Sequence, residues 1–263
     1  MVARLEAADA LVPGLVHDAL LALPREVLMP QAYVRRNALD ERPPRWDLLD
    51  WSEPGDREEL LAVLYGGESV LIQHDGEPLV GRTGRARSGG SITYMSTVMS
   101  LTALLLQELD LRPGHRVLDI GAGAAVTAAV ACHIGGDTGV VALDRNQHVA
   151  VAAQGRLGAL GYRPAVVCGS GEDGWPERAP YDRIRAAHRS GTTPGRTPGV
   201  ASARAAAVSC ALSTMHGAEE CNGRRVGIAD TERAATGEGC SSAVVRRRSG
   251  RVWGTLCAVP GEQ

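Results

Sequence analysis

The sequence predicts an α/β fold built on a doubly wound, mostly parallel, Rossmann-like sheet, with an N-terminal helical segment before it and an irregular C-terminal tail after it. Three observations carry that prediction. Between residues 97 and 184, short aliphatic runs alternate with helix-length apolar patterns, and parallel strands need such crossover helices. The first run ends in a glycine turn, Val117-Leu118-Asp119-Ile120-Gly121-Ala122-Gly123, which opens directly into a helical pattern. The second ends in an acid, Asp144, 21 residues beyond Gly123.

The elements follow in order. From Leu11 to Leu28 apolar residues recur at helical spacing, limited by Pro24 and Pro30. Residues 37 to 57 are rich in Pro, Asp, Arg and Trp without a period, which suits a surface connection. Glu58 to Tyr65 predicts a short helix, and Ser69 to His74 a strand leading into the turn Asp75-Gly76. Thr97 to Leu111 predicts a helix ended by Arg112-Pro113-Gly114, and Arg116 to Ile120 a buried strand. A helix from Ala124 to His133, a strand from Gly139 to Leu143, a helix from Gln147 to Leu160 closed by Gly161 and a strand from Ala165 to Cys168 complete the alternation. Pro180-Tyr181-Asp182-Arg183-Ile184 begins a fourth strand.

Composition excludes several classes. The 44% hydrophobic and 22% charged fractions are those of a globular chain that buries a sizeable core. Charges interrupt the first nine residues and no apolar run reaches spanning length, so a signal peptide and a membrane protein are not expected and a cytoplasmic location is. All 28 basic residues are Arg, and Phe is absent, a bias that resembles GC-rich coding. The six Cys form no C-x-x-C pair, so no metal site is expected and the thiols are expected reduced.

S-adenosylmethionine presents a methionine carboxylate and ammonium, a ribose diol and an adenine ring, and a crevice at strand carboxyl ends can meet all three. Gly121 and Gly123 allow the tight turn and a close backbone approach. Asp119 is placed to orient the methionine end, and Asp144 to accept the ribose hydroxyls. NAD is the rival ligand, but its Gly-x-Gly-x-x-Gly fingerprint requires a glycine where this chain has Val126.

Read together, these motifs resemble the protein-L-isoaspartate O-methyltransferase family from about Leu11 to Ile184. Leu23-Pro24-Arg25-Glu26 is similar to its Val-Pro-Arg-Glu segment, Val117 to Gly123 to its glycine motif, and Gly161-Tyr162 with Gly169-Ser170-Gly171 to its Gly-Tyr and Gly-Asp-Gly elements. Ala179-Pro180-Tyr181-Asp182-Arg183-Ile184 closely matches its Ala-Pro-Tyr-Asp-Arg-Ile. The resemblance implies a methyltransferase-type sheet, S-adenosyl-L-methionine as cofactor and a protein or peptide substrate carrying an isoaspartyl residue. Its α-carboxylate would be methylated to an ester that decays through a succinimide, repairing the damaged protein. Implied cofactor residues are Asp119, Gly121, Ala122, Gly123, Asp144, Arg145, Ser170, Gly171 and Glu172, and Ser91-Ile92-Thr93-Tyr94-Met95 puts Thr93 at the catalytic hydroxyl. Departures from the pattern are Ala125 at the third glycine and Ser170 at the adenine-side aspartate, where Glu172 or Asp173 can compensate. The domain organisation is then 1–96 as an N-terminal helical and substrate-side segment, 97–184 as the cofactor-binding α/β core and 185–263 as an atypical region.

Beyond Ile184 the character changes. The last 79 residues hold only 11 Leu, Ile, Val or Met, and carry 11 Arg against six acids. A replaced, frameshifted or disordered C-terminus is the expectation, with Arg246-Arg247-Arg248 read as a solvated face and nucleic acid not as a partner. Three other functions stay open: a cofactor-binding remnant without activity, a methyltransferase that modifies a peptide natural product, and an NAD-dependent oxidoreductase.

Overall fold

A computed structural model of the chain describes residues 1–187 except 83, 85, 172 and 173, together with the backbone of four short strands, 206–209, 227–230, 244–246 and 252–255. The lead-in is helical: α1 (Val2–Ala7), α2 (Leu15–Ala22) and α3 (Arg25–Leu28). The single helix expected from 11 to 28 is two, because Leu23 and Pro24 are extended. Proline lacks the N–H that would continue the ladder and pushes its predecessor out of the helical region. Arg25, only 2% exposed, donates from Nε to Leu64 O at 2.7 Å, while Glu26 accepts from the Tyr65 hydroxyl at 2.7 Å. The Leu23–Glu26 segment thereby staples α3 to α4 (Arg57–Tyr65).

The sequence reading found one strand in this half, Ser69 to His74, and missed the sheet to which it belongs. β1 (Gln31–Arg35), β2 (Arg45–Asp50), β3 (Val70–His74), β4 (Ala86–Ser88) and β5 (Ile92–Ser96) form an antiparallel sheet in the order β4-β2-β1-β3-β5. Residues 37 to 57 are therefore not only a surface connection, since they contain β2. That strand lacks alternation, with Leu48 and Leu49 both 3% exposed, and its conformation comes from pairing with all five residues of β1.

After α5 (Met99–Glu108) the predicted alternation appears: β6 (Val117–Ile120), α6 (Val126–Gly135), β7 (Val140–Asp144), α7 (Gln147–Ala159), β8 (Ala165–Cys168) and β9 (Arg183–Ala186). β10 (Ala206–Ser209) runs parallel to β9 and β11 (Gly227–Asp230) antiparallel to β10, giving a six-stranded order β11-β10-β9-β6-β7-β8. β12 (Val244–Arg246) and β13 (Val252–Thr255) pair separately. The tail thus supplies two strands to the sheet that its composition did not reveal.

β6 lies between β7 and β9, so the chain winds outward to β8 and then returns to the other side of β6. The turn after β6 therefore stands at the topological switch point, where open α/β sheets form their crevice. Every residue of β6 and β7 is buried, as expected of parallel strands covered on both faces. Val117, Val140 and Ala142 join α2, α5 and α6 in the main core, and Leu118, Ile120, Val141 and Leu143 pack with Tyr181 and Ile184 in a second cluster. Among the described residues no helix is long and apolar enough to cross a membrane.

Candidate functional site

The site is organised by one carboxylate. Asp144 ends β7 with 1% of its surface exposed. Its Oδ2 accepts from Gly123 N–H at 3.1 Å, and its Oδ1 from Asn146 N–H at 3.0 Å and from the Tyr94 hydroxyl at 2.9 Å. The backbone tightens the same corner: Gly121 and Ala122 donate to Leu143 O at 2.7 and 3.0 Å, and Gly169 donates to Asp144 O at 3.0 Å. Asn146 in turn caps α7, accepting from His148 N–H at 2.9 Å. The carboxyl ends of β6, β7 and β8 are in this way drawn to one point.

Two glycines are obligatory there. Gly121 has φ +86, and a Cβ on it would lie 2.9 Å from Ala187 O. A Cβ on Gly171 would meet Ile120 Cγ2 at 2.2 Å, so the loop after β8 can lie on the end of β6 only without a side chain. Ala125, at the family's third glycine, takes φ +63 and caps α6 in a left-handed conformation that costs an L-residue about 1–2 kcal/mol.

The structure brings Gly121, Ala122, Gly123, Asp144 and Gly171 together. Arg145 is exposed beside them and offers its carbonyl to Cys168 Sγ at 3.6 Å. Ser170 is exposed, and Glu172 lies outside the described residues. Asp119 does not open onto the crevice: it is fully buried, and its Oδ1 accepts from Arg185 Nη1 at 3.0 Å. Burial pushes its carboxyl above the usual range while Arg185 pulls the other way. Asp119 Oδ2 is buried and, among the described residues, has no hydrogen-bond partner.

Thr93 is on β5 and not at a helix start. Its Oγ1 donates to Gln73 Oε1 at 2.8 Å and accepts from Gly76 N–H at 3.0 Å, so the hydroxyl is directed to the β3 turn. The residue that β5 sends to Asp144 is Tyr94, and the hydroxyl standing just before α5 is the half-buried Thr97. Sequence reading missed Tyr94 because strand pairing, not spacing, brings it 50 positions along the chain to Asp144. It missed Arg185 because that residue follows the last motif residue, although Asp119 and Arg185 are cross-strand partners.

A cavity of about 340 Å³ lined by Gly114, Arg116, Gly139 and Arg178 sits at the amino ends of β6 and β7, on the far side of the sheet from this chemistry.

The family model described as protein-L-isoaspartate(D-aspartate) O-methyltransferase matches residues 86–196. The protein-L-isoaspartate O-methyltransferase of Methylorubrum extorquens (strain PA1) is 42% identical over 94 residues, which cover 36% of this chain and 40% of that protein. Protein-L-isoaspartate O-methyltransferase 1 of Archaeoglobus fulgidus is 42% identical over 97 residues, covering 35% of this chain and 45% of that one. A solved structure named protein-L-isoaspartate O-methyltransferase aligns with a TM-score of 0.47 and 26% identity over 70% of this chain and 45% of its own. The chain spans less than half the length of these curated relatives. The resemblance read from the motifs is borne out over residues 86–196, which begin after Leu23–Glu26 and run past Ile184.

Proposed function

We propose that this chain binds S-adenosylmethionine in the switch-point crevice and methylates a carboxylate of isoaspartyl residues in proteins or peptides. The observation that carries this reading is the buried Asp144 carboxylate, fixed to the glycine turn by Gly123 N–H at the carboxyl end of β7. An acceptor there suits a ribose diol, and the bare backbone at Gly123, where an added Cβ would meet only Gly121 O at 3.8 Å, suits the close approach of a methionine moiety, with Gly121 shaping the turn that presents it. Asp119, buried beneath the turn and paired with Arg185, is proposed to orient the methionine end from behind that turn and not by direct contact. Arg145, Ser170, Gly171 and Glu172 complete the proposed cofactor set, with Thr93 as the proposed catalytic hydroxyl.

The cofactor would supply an activated methyl group on a sulfonium. The chain's own residues have a modest chemical task, because a carboxylate acceptor is already ionised at neutral pH and needs no strong base. Their contribution is to hold that acceptor in line and to keep water out. A dinucleotide fits less well: Val126, where its fingerprint wants glycine, is 7% exposed and built into the main core.

The test is transfer of labelled methyl from S-adenosylmethionine to an isoaspartyl peptide and to its aspartyl isomer. Labelling of the first alone supports the proposal, and labelling of neither by a chain that binds cofactor contradicts it. That second outcome is the signature of a cofactor-binding remnant. In an active chain, Thr93→Ala is expected to lower turnover at least about tenfold at unchanged cofactor affinity. Unchanged turnover would move the role to Thr97.

A further inference from the structure

Asp144 is crowded for a residue meant to hold a diol. A carboxylate offers about four acceptor positions. Three are filled by Gly123 N–H, Asn146 N–H and the Tyr94 hydroxyl, and the group is 1% exposed. Two of these donors are backbone groups of the turn and of the loop into α7, which cannot leave without unfolding the corner. The third is a side chain from the other sheet. A vicinal diol needs two acceptor positions and finds one.

Resting on the cofactor reading above, we propose that the Tyr94 hydroxyl is a stand-in for a ligand hydroxyl on Asp144, and that a ribose diol binds only by displacing it. Tyr94 is thereby a determinant of cofactor affinity and ties β5, the strand that also carries Thr93, to occupancy of the crevice. The ring has its own anchorage, packed against Leu79, Val149 and Ala152, so the hydroxyl can give up its bond while the aromatic body keeps its contacts. The phenol is a donor throughout the neutral range, its pKa pushed up to about 12 by burial and then by Asp144.

The full chain and its Tyr94→Phe variant are titrated with S-adenosylhomocysteine by calorimetry, with circular dichroism confirming that both are folded. Removing the competing hydroxyl is expected to lower Kd about 10- to 100-fold, the scale of one hydrogen bond to a charged group. The gain should appear with adenosine and vanish with 2′,3′-dideoxyadenosine, which has no diol. A Kd unchanged or raised in the variant, with the wild-type chain binding, overturns the displacement and leaves the cofactor reading intact. No binding by the folded wild-type chain overturns the cofactor reading and this inference with it. Should the variant fail to fold, the wild-type chain decides alone: with ring-labelled tyrosine, a resonance among the five tyrosines must shift on adding S-adenosylhomocysteine, and five unmoved resonances at saturation refute the displacement.

Discussion

Asp119 and Arg185 form a buried ion pair, and its energetics set a pH dependence. Asp119 has a folded pKa above its ordinary 3.8, so the folded chain binds that proton more tightly than the unfolded one. Its contribution to stability is therefore greatest at low pH and declines as pH rises above about 3.8, and losing Arg185 extends the decline upward. Arg185→Leu is expected to cost about 3–5 kcal/mol at pH 8, where a charge is left unpaired, and clearly less at pH 5. Denaturant unfolding at the two pH values measures this, and equal losses would contradict it. Arg156 gives the opposite sign. It is 6% exposed, its Nη1 has no hydrogen-bond partner among the described residues, and burial, with Arg82 second, lowers its pKa to about 10. The unfolded chain holds this proton more tightly, so the penalty is fully present at neutral pH and lifts only as pH climbs through 10. Arg156→Leu should raise stability at pH 7 by about 1–4 kcal/mol, read as a higher Tm; a fall in Tm would refute an unpaired charge. At this scale Asp144 was legible because an acid at a strand end is marked by its distance from the glycine turn. Tyr94, Arg185 and Arg156 were not, because their roles depend on which distant element faces them.

Among the elements, α5 to β9 followed the sequence to within a few residues, since buried parallel strands and crossover helices leave unbroken aliphatic runs. Of the N-terminal sheet only β3 left such a trace, in the run from Ser69 to His74. β2 and β4 are strands by pairing, and Arg-rich segments such as Ala86–Ser88 give no period to read. The turn after β6 is the element whose geometry is most sharply constrained, and two glycines make the contrast measurable. Gly121→Ala places a side chain at φ +86 against a backbone oxygen, so a loss of at least about 1–2 kcal/mol is expected. Gly155→Ala, on α7 with nothing within 4 Å of the added Cβ, should instead gain about 0.5–1 kcal/mol. Thermal unfolding of the two variants checks both signs, and a stabilised Gly121→Ala would refute the strained turn.

On the scale of the whole molecule, the two sheets are joined at the crevice, where Tyr94 of the first meets Asp144 of the second. The family match ends at residue 196, and the aliphatic content of the chain falls soon after β9. We propose that the segment beyond the match is a replaced or frame-shifted terminus. The gene's other reading frames test the shift: aliphatic strands with a Gly-Gly turn in one of them support it, and their absence leaves replacement. The sheet order was legible only as far as the alternation ran, and β10 and β11 were hidden because Gly, Ala and Arg dilute the pattern that burial normally imposes. Whether this full chain, tail included, still holds the cofactor is the central question, and a calorimetric titration with S-adenosylhomocysteine beside Asp144→Ala answers it most directly. Saturable binding by the wild-type chain, abolished in the variant, is the result predicted here; a folded wild-type chain that binds nothing, or a variant that binds as well, would contradict it.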